Sequence, residues 1–327
     1  MKVLISIQLP VTQWQIPAEA VQMLRRRFPH IEFVHATTPE DRAAGLRACD
    51  IAYTWLLNPS ELAIATRLKW LHTSAVAVET LCLDDLFVRG IMVSNTRGVQ
   101  AVPIAEHVMA TVLAMSKQLP FALDNQRQAC WAQNEFTGDR LPWLLAGKTL
   151  GLVGVGTIGS EIARRAQAFD MKVIALRRQP AYGVIGHVEK VYGKDRLDEL
   201  LAQTHVLVIA APLTAETRNL LGATQFAQLP RGALVVNVGR AKIVDTDALM
   251  DALDSGHLAG ASLDVFPHEP LPPDHRLWRT PNVLLTPHTS GFRQGHWEEV
   301  IDLFADNIDR FVKGEPLKFR ISPERGY

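Results

Sequence analysis

The chain has few cysteines, no net charge and no long apolar run, and each of these absences excludes a class of protein. Its 327 residues include three cysteines, Cys49, Cys82 and Cys130, an odd number without Cys-x-x-Cys spacing. They predict neither a disulfide framework nor a thiolate metal site, and each is expected to be a small core residue. Lysine plus arginine equals aspartate plus glutamate at 34 each, so no net field favours nucleic acid or an anionic membrane as a partner.

No apolar stretch approaches the roughly 18 residues needed to cross a bilayer. The first ten residues resemble a signal peptide only superficially, because Gln8 and Pro10 interrupt a short apolar run that is more typical of a buried strand. We therefore expect a soluble cytoplasmic protein whose length favours two domains over one.

The stretch from Thr149 to Ser160 is the most informative part of the sequence. An apolar run typical of a buried parallel strand leads into Gly-x-Gly-x-x-Gly where a helix should begin. Gly154 permits a tight turn, Gly156 lets backbone approach a pyrophosphate, and Gly159 lets the helix pack closely on the strand. The pattern predicts a dinucleotide site, and the alternative is a purely structural turn.

Short β-type runs alternate with helical stretches in both halves of the chain, which predicts an α/β fold with parallel sheets. A long apolar helix over 102–118 is expected to be interdomain core or a subunit contact. Residues 123–145 are expected to be irregular, and a last helix, ending near 313, is expected to return to the first domain. Besides the strand before Gly154, strands are predicted at 3–9, 31–35, 51–56, 70–74, 91–94, 172–176, 205–210, 233–238, 259–264 and 282–286.

Three further motifs follow successive strands of the second half, and Ser74-Ala75-Val76-Ala77-Val78 follows a strand of the first. With the glycine turn, they resemble the D-isomer-specific 2-hydroxyacid dehydrogenases over nearly the whole chain. The resemblance implies two Rossmann-like doubly wound domains, with residues 1–98 and 292–327 as substrate domain and 99–291 as an inserted dinucleotide-binding domain. The three motifs are Val236-Asn237-Val238-Gly239-Arg240, Asp264-Val265-Phe266-Pro267-His268-Glu269-Pro270-Leu271-Pro272 and Thr286-Pro287-His288-Thr289-Ser290-Gly291.

Reduction of a 2-oxo acid needs a cation for the carboxylate and an acid for the carbonyl oxygen. Arg240 suits the first task because a planar guanidinium can grip two oxygens at once, although an isolated arginine is more often a surface ion-pair partner. His288 is the candidate acid, since imidazole titrates near neutrality, although a histidine taken at random is usually structural. Glu269 matches the family carboxylate that pairs with this histidine and would stabilise imidazolium.

The resemblance also implies the remaining site residues. Backbone around Ala75, Val76 and Ala77 would hold the substrate carboxylate, while Tyr53, Trp55 and Leu56 would wall the pocket or simply pack in the core. His268 is expected to be exposed, and no metal site is predicted. The cofactor-binding set is Gly154, Gly156, Thr157, Ile158, Gly159, Arg177, Arg178, Pro212, Thr217, Val238, Gly239, Asp264, Ser290 and Gly291.

The residues after Leu176 bear on the choice of cofactor. An NAD-specific Rossmann site carries an acidic residue here, whereas Arg177 and Arg178 would attract a 2′-phosphate. We therefore expect NADP(H) to be preferred; if both arginines are solvated, the enzyme would accept NAD(H) as well as NADP(H).

The expected function is reversible reduction of a small 2-oxo acid, such as glyoxylate or hydroxypyruvate, to a D-2-hydroxy acid. Two alternatives are an NAD(H)-sensing protein of the corepressor type and a family oxidoreductase acting on formate or phosphonate. By analogy with the family, we expect a homodimer with the 102–118 helix as a plausible interface.

Overall fold

The computed structural model describes residues 1–76, 78, 81–178 and 186–323. The chain divides into two compact units, Met1–Gln100 with Phe292–Tyr327 and Ala101–Gly291. None of the helices in the described ranges combines the length and the apolarity that crossing a membrane requires.

The first unit contains a five-stranded parallel sheet in the order β2-β1-β3-β4-β5. The first strand stops at Ser6 rather than Leu9, because its neighbours offer partners only that far, with Ser6 opposite Thr54. The strands are β1 (Lys2–Ser6), β2 (Glu32–His35), β3 (Ile51–Thr54), β4 (Trp70–Thr73) and β5 (Met92–Asn95). The helices that connect them are α1 (Ala18–Arg27), α2 (Pro39–Ala48), α3 (Pro59–Ile64) and α4 (Leu83–Val88).

The second unit contains a seven-stranded parallel sheet in the order β12-β11-β10-β9-β6-β7-β8. Two all-parallel sheets with helices between their strands confirm the predicted fold class. The strands are β6 (Thr149–Val153), β7 (Lys172–Leu176), β8 (Lys190–Tyr192), β9 (Val206–Ile209), β10 (Ala233–Asn237), β11 (Leu258–Leu263) and β12 (Val283–Leu285). The helices are α5 (Ala101–Ser116), α6 (Leu119–Arg127), α7 (Thr157–Gln167), α8 (Leu197–Leu201), α9 (Ala223–Gln228) and α10 (Thr246–Asp254).

The long apolar helix α5 belongs to the core of the second unit. Its side chains Ile104, Val108 and Val112 are buried in one cluster with Ile162 of α7 and Leu152 of β6. The breadth of its apolar surface therefore follows from packing on two elements at once.

The last helix, α11 (His296–Lys313), completes the core of the first unit. Phe304 is fully buried there, with its ring centroid 4.3 Å from that of Tyr53 and 5.0 Å from that of His72. Tyr53 is itself fully buried, so it is a core residue of this unit, as the second of the two sequence interpretations held. Trp55, just beyond β3, is half-buried, and Leu56 is 41% exposed.

Three local expectations were wrong or incomplete. Helix α6 and strand β8 were not predicted. Helix α6 occupies part of the stretch expected to be irregular. Its amphipathic pattern is weak because none of its residues is buried. Cys49 is buried and Cys82 half-buried, but Cys130 is exposed and is not a core residue, because it follows α6 on the protein surface.

Candidate active site

All the motifs of the second unit lie at one edge of its sheet. Because its strands are parallel, their carboxyl ends share an edge, and β6, β7, β9, β10, β11 and β12 each end directly before a predicted site segment. Chain order reverses between β6 and β9, which is where open α/β sheets form a ligand crevice. Parallel topology therefore brings the predicted residues together.

The glycine turn has the shape required by a pyrophosphate. Gly154 has φ +94°, and a Cβ there would lie 2.7 Å from the backbone of Ala211, so the position accepts only glycine without rearrangement. At Gly159 a Cβ would lie 2.6 Å from a backbone oxygen of Gly154. Gly156 is different: a Cβ would meet nothing within 4 Å, so space is open in front of the turn.

The N-terminus of α7 has features that suit the binding of an anion. Helices α2, α3 and α10 are capped by side chains of Thr38, Asn58 and Asp245, whereas α7 starts after Gly156 with no side-chain cap and no acidic residue in its first turn. Its first N–H groups, including those of Thr157 and Ile158, would bind phosphate oxygens with help from the helix dipole. These features fit a dinucleotide cofactor.

Arg177 and Arg178 follow β7 at the same edge of the sheet. Arg177 is half-buried, and its backbone N–H donates to the carbonyl of Tyr192 at 2.9 Å, which fixes where its side chain starts. Arg178 is exposed. Both therefore lie at the carboxyl end of β7.

Four further predicted cofactor-binding residues lie in the loops after β9 and β10. The Thr217 hydroxyl donates to the carbonyl of Pro212 at 2.8 Å, so it closes its own loop. Val238 is buried, and a Cβ on Gly239 would lie 2.9 Å from the carbonyl oxygen of Ala211. The loops after these two adjacent strands are therefore in close backbone contact.

His288 and Glu269 form a hydrogen-bonded pair. The imidazole Nδ1 lies 2.7 Å from Glu269 Oε2, while Glu269 Oε1 accepts from the backbone N–H of Phe266 at 2.9 Å. With Nδ1 donating to the carboxylate, Nε2 is the ring nitrogen left for chemistry. The His288 side chain is 51% exposed, so Nε2 can exchange a proton with a ligand or with water. His268, its sequence neighbour in the motif, is exposed.

The pair stabilises imidazolium. The hydrogen bond to Glu269 raises the pKa of His288, against the opposing effects of burial and of the Arg240 charge. Burial alone would raise the pKa of Glu269, but the hydrogen bonds from His288 and Phe266 hold it below its usual value. The pairing therefore favours the protonated form of His288 and the ionised form of Glu269, each relative to an isolated group.

Arg240 lies immediately after β10, next to the strand that leads to Glu269. It is half-buried, its Nη1 donates to the carbonyl of Gly239 at 2.7 Å, and its own carbonyl accepts from Asn237 Nδ2 at 3.2 Å. The guanidinium charge acts on both His288 and Glu269, lowering the pKa of each. The three polar residues named from the sequence therefore share one electrostatic environment.

Asp264 has a role that sequence reasoning missed. It is 1% exposed, and its Oδ1 accepts from Thr286 Oγ1 at 2.6 Å and from the backbone N–H of Thr289 at 2.9 Å. Oδ2 accepts from the N–H of Ser290 at 3.0 Å. The carboxylate thus anchors the segment that carries His288. The signal that could have revealed this was a lone aspartate directly after one apolar strand, beside a strand that leads into Thr-Pro-His.

The backbone of the anchored segment is constrained at His288, which has φ +54°, a value unusual for a residue other than glycine. Its N–H donates to the Thr286 carbonyl at 2.9 Å, so the segment folds back on itself. Ser290 and Gly291, predicted to bind cofactor, complete the segment and are buried.

The predicted substrate-binding turn lies in the first unit. The backbone N–H of Ala75 donates to Thr73 Oγ1 at 3.1 Å, and the carbonyl of Val76 accepts from Asn95 Nδ2 at 2.8 Å. Side chains of β4 and β5 therefore hold this turn. Ala77 lies outside the described residues.

Comparison with known proteins agrees with this geometry. The family model for the NAD-binding domain of D-isomer-specific 2-hydroxyacid dehydrogenases matches residues 109–290. A glyoxylate reductase from Korarchaeum cryptofilum is 33% identical over 83% of this chain and 82% of its own. A glyoxylate reductase from Thermococcus litoralis is 32% identical over 92% of both chains.

A solved structure is also similar over its whole length. It is an NADPH-dependent glyoxylate/hydroxypyruvate reductase from Sinorhizobium meliloti in complex with NADP and sulfate, 28% identical, with a TM-score of 0.82 over 100% of this chain and 99% of its own. Motifs, sheet topology and relatives all agree. The chain belongs to the D-isomer-specific 2-hydroxyacid dehydrogenase family and is an NAD(P)-dependent oxidoreductase of 2-hydroxy and 2-oxo acids.

Proposed function

We propose that the chain reduces a small 2-oxo acid, glyoxylate or hydroxypyruvate, to the D-2-hydroxy acid, with His288 as the acid and NADPH as the preferred reductant. The observation that carries the proposal is the 2.7 Å bond between His288 and Glu269, beside Arg240, at the carboxyl edge of the parallel sheet. Relatives named glyoxylate reductase support the choice of substrate.

In this mechanism, Arg240 donates to the substrate carboxylate and to the carbonyl oxygen, which orients the acid and polarises the bond to be reduced. When bound, the reduced nicotinamide cofactor supplies the hydride that C2 receives. His288 Nε2 gives its proton to the carbonyl oxygen as negative charge develops there. Glu269 keeps Nδ1 protonated and the ring oriented, and the half-exposed imidazole regains its proton from water.

The proposed catalytic roles are tested with a panel of 2-oxo acids, following loss of NADPH absorbance. His288→Gln should lower kcat by about 10²-fold or more while leaving the Kd for the cofactor nearly unchanged. Arg240→Ala should raise KM for the acid as well as lower kcat, because it removes both carboxylate binding and carbonyl polarisation. His268→Gln, in the same segment as Glu269 but exposed, is the matched control and should behave as wild type. Near-normal turnover in His288→Gln would refute the assignment of the acid.

The segment containing Ala75, Val76 and Ala77 remains the proposed backbone site for the substrate carboxylate. A Val76→Pro variant removes one N–H of this turn while leaving the Ala75 N–H on Thr73 Oγ1, and it should raise KM for the acid more than it lowers kcat. If KM stays unchanged while the protein is folded, this part of the proposal fails.

The proposed preference for NADPH depends on Arg177 and Arg178. A charge-assisted hydrogen bond to a 2′-phosphate is worth about 1.5–3 kcal/mol, and the exposure of Arg178 reduces its share. The structural relative named as NADPH-dependent is consistent with this preference. Arg177→Asp should lower the ratio of kcat/KM with NADPH to that with NADH by about tenfold or more.

Arg231→Asp is the matched control for the cofactor experiment. Arg231 is exposed, whereas Arg177 is half-buried, and it precedes β10 at the opposite edge of the sheet. Its substitution should leave the ratio unchanged, which separates a local contact from a general effect of charge. A wild-type enzyme that clearly prefers NADH would refute the proposal.

We also propose that the chain forms a homodimer through the segment that follows α5. Five large apolar side chains there are each between 47% and 86% exposed, and exposed apolar residues gathered on one segment are typical of a protein–protein contact. Light scattering should report a dimer, and a Trp131→Ser, Leu144→Ser double variant should weaken it. A monomeric wild type would refute the proposal. The side chains are Leu119, Leu123, Trp131, Leu141 and Leu144.

A further inference from the structure

A histidine on the long helix α5 contacts the segment that carries His288. His107 is half-buried, and its Nε2 lies 3.3 Å from Thr286 Oγ1. Thr286 directly follows β12 and is the first residue of that segment. No sequence motif associates His107 with the segment, which lies 179 positions away in the chain.

The direction of this hydrogen bond follows from the single hydroxyl proton of Thr286. Oγ1 lies 2.6 Å from Asp264 Oδ1, and an ionised carboxylate only accepts, so the hydroxyl donates to Asp264. Oγ1 can then only accept from His107, which must carry its proton on Nε2. Burial lowers the pKa of His107, with the Asp264 charge opposing. The neutral Nε2–H tautomer is therefore the form that fits this contact.

The chain of bonds from His107 through Thr286 reaches both ends of the His288 turn. Thr286 lies on one side of His288, and Thr289 and Ser290, whose N–H groups also donate to Asp264, lie on the other. Between these fixed points His288 holds a φ of +54°. A non-glycine residue keeps such a backbone conformation only where its surroundings over-determine it.

We propose that His107 is a positioning residue for His288, acting through the Thr286 hydroxyl and the Asp264 carboxylate. Without the donor, Thr286 Oγ1 keeps its bond to Asp264 but loses its second partner, so the turn is less firmly held and the alignment of the His288 imidazole with Glu269 weakens. This inference rests on the proposed function, because it assumes that His288 gives the proton. It goes beyond that function by assigning the alignment of the acid to a helix outside the motifs.

The decisive comparison is between His107→Phe and His107→Gln. Phenylalanine fills the space but has no donor, whereas a glutamine Nε2 can take the place of the imidazole Nε2–H. His107→Phe should lower kcat about tenfold at unchanged cofactor Kd, since small misplacements of a catalytic group have effects of this size. His107→Gln should recover activity to within about threefold of wild type. Thr111→Val, which removes a buried hydroxyl from the same helix, is the control and should retain full kcat.

A double-mutant cycle with Thr286→Val tests whether His107 acts through Thr286. If it does, adding His107→Phe to Thr286→Val should lower kcat by less than about twofold further. Independent multiplication of the two effects, or failure of glutamine to restore activity, would overturn the proposal.

A readout without turnover separates this proposal from the catalytic one. The NMR titration of the His288 imidazole should move toward that of an ordinary histidine in His107→Phe, because alignment with Glu269 is weakened. If His288→Gln stays active but this titration moves, the catalytic assignment fails and the positioning role stands. If the titration does not move and kcat stays at the wild-type level in folded His107→Phe, the positioning role fails alone.

Discussion

Replacing Asp264 with alanine tests the anchoring of the His288 segment most directly. The carboxylate is 1% exposed and accepts from Thr286 Oγ1, Thr289 N–H and Ser290 N–H. Alanine leaves these three donors facing a small cavity. A buried donor without a partner costs about 1–3 kcal/mol, and relaxation of the exposed part of the segment recovers some of this. We expect the free energy of unfolding to fall by about 3–5 kcal/mol, since three donors lose their acceptor and relaxation recovers only part of that loss.

The assay is urea unfolding followed by circular dichroism, together with kcat. Asp245→Ala is the matched control, because Asp245 is also an aspartate that accepts two backbone N–H groups, but it is an exposed helix cap. Loss of that cap should cost about 1 kcal/mol and leave kcat unchanged. The loss of stability in Asp264→Asn should lie between the losses in Asp264→Ala and Asp245→Ala. The asparagine amide oxygen can replace Oδ1, but its NH2 group would face the N–H of Ser290. A loss below about 1 kcal/mol in Asp264→Ala would refute the reasoning.

Three further predictions concern charge and space. In Glu269→Gln the hydrogen bond from His288 loses its charged acceptor, so the pKa of His288 should fall. Because reduction uses the protonated ring, the basic limb of the pH profile of kcat/KM for reduction should move to lower pH. If this limb does not move, the pairing of His288 with Glu269 is contradicted. Burial lowers the pKa of His72 to about 3, so between about pH 6.5 and pH 3 only the unfolded chain binds a proton at this residue. As the pH is lowered through this range, the free energy of unfolding should fall by about 1.4 kcal/mol per pH unit because of His72. His72→Asn should flatten the slope of stability against pH by that amount. Gly159→Ala puts a Cβ 2.6 Å from a backbone oxygen and should cost about 1–3 kcal/mol of stability in urea. Gly156→Ala should keep full stability but lose cofactor affinity by calorimetry, and equal destabilisation of the two glycine variants would count against the open space at the turn.

Structural features that depend on a few consecutive residues could be predicted from the sequence. The glycine turn, the strand ends and the Arg240, Glu269 and His288 motifs could all be located, because each is fixed by a few consecutive residues. Parallel topology then required these segments to share one sheet edge. The family comparison confirms the dehydrogenase class, while the individual roles of the three residues stay predictions.

Features that depend on packing could not be read from the sequence. Tyr53 fits a pocket wall or a core equally well, because alternation along a strand does not say which face α11 will cover. The contact of His107 with Thr286 requires the position of α5 over the end of β12. Helix α6 was missed because it buries none of its residues, so its apolar pattern is weak.

The first unit is built from two separate parts of the chain, and this has a consequence for its folding during synthesis. Its core cluster joins strands from the first hundred residues to Phe304 and Ile308 of α11. The second unit is continuous from Ala101 to Gly291, so all of its strands precede α11 in the chain and leave the ribosome before it. Until α11 is available, the apolar face that it covers on the strands of the first unit remains exposed. A released chain that ends at residue 295 should therefore be more sensitive to protease within residues 1–100 than within 101–291.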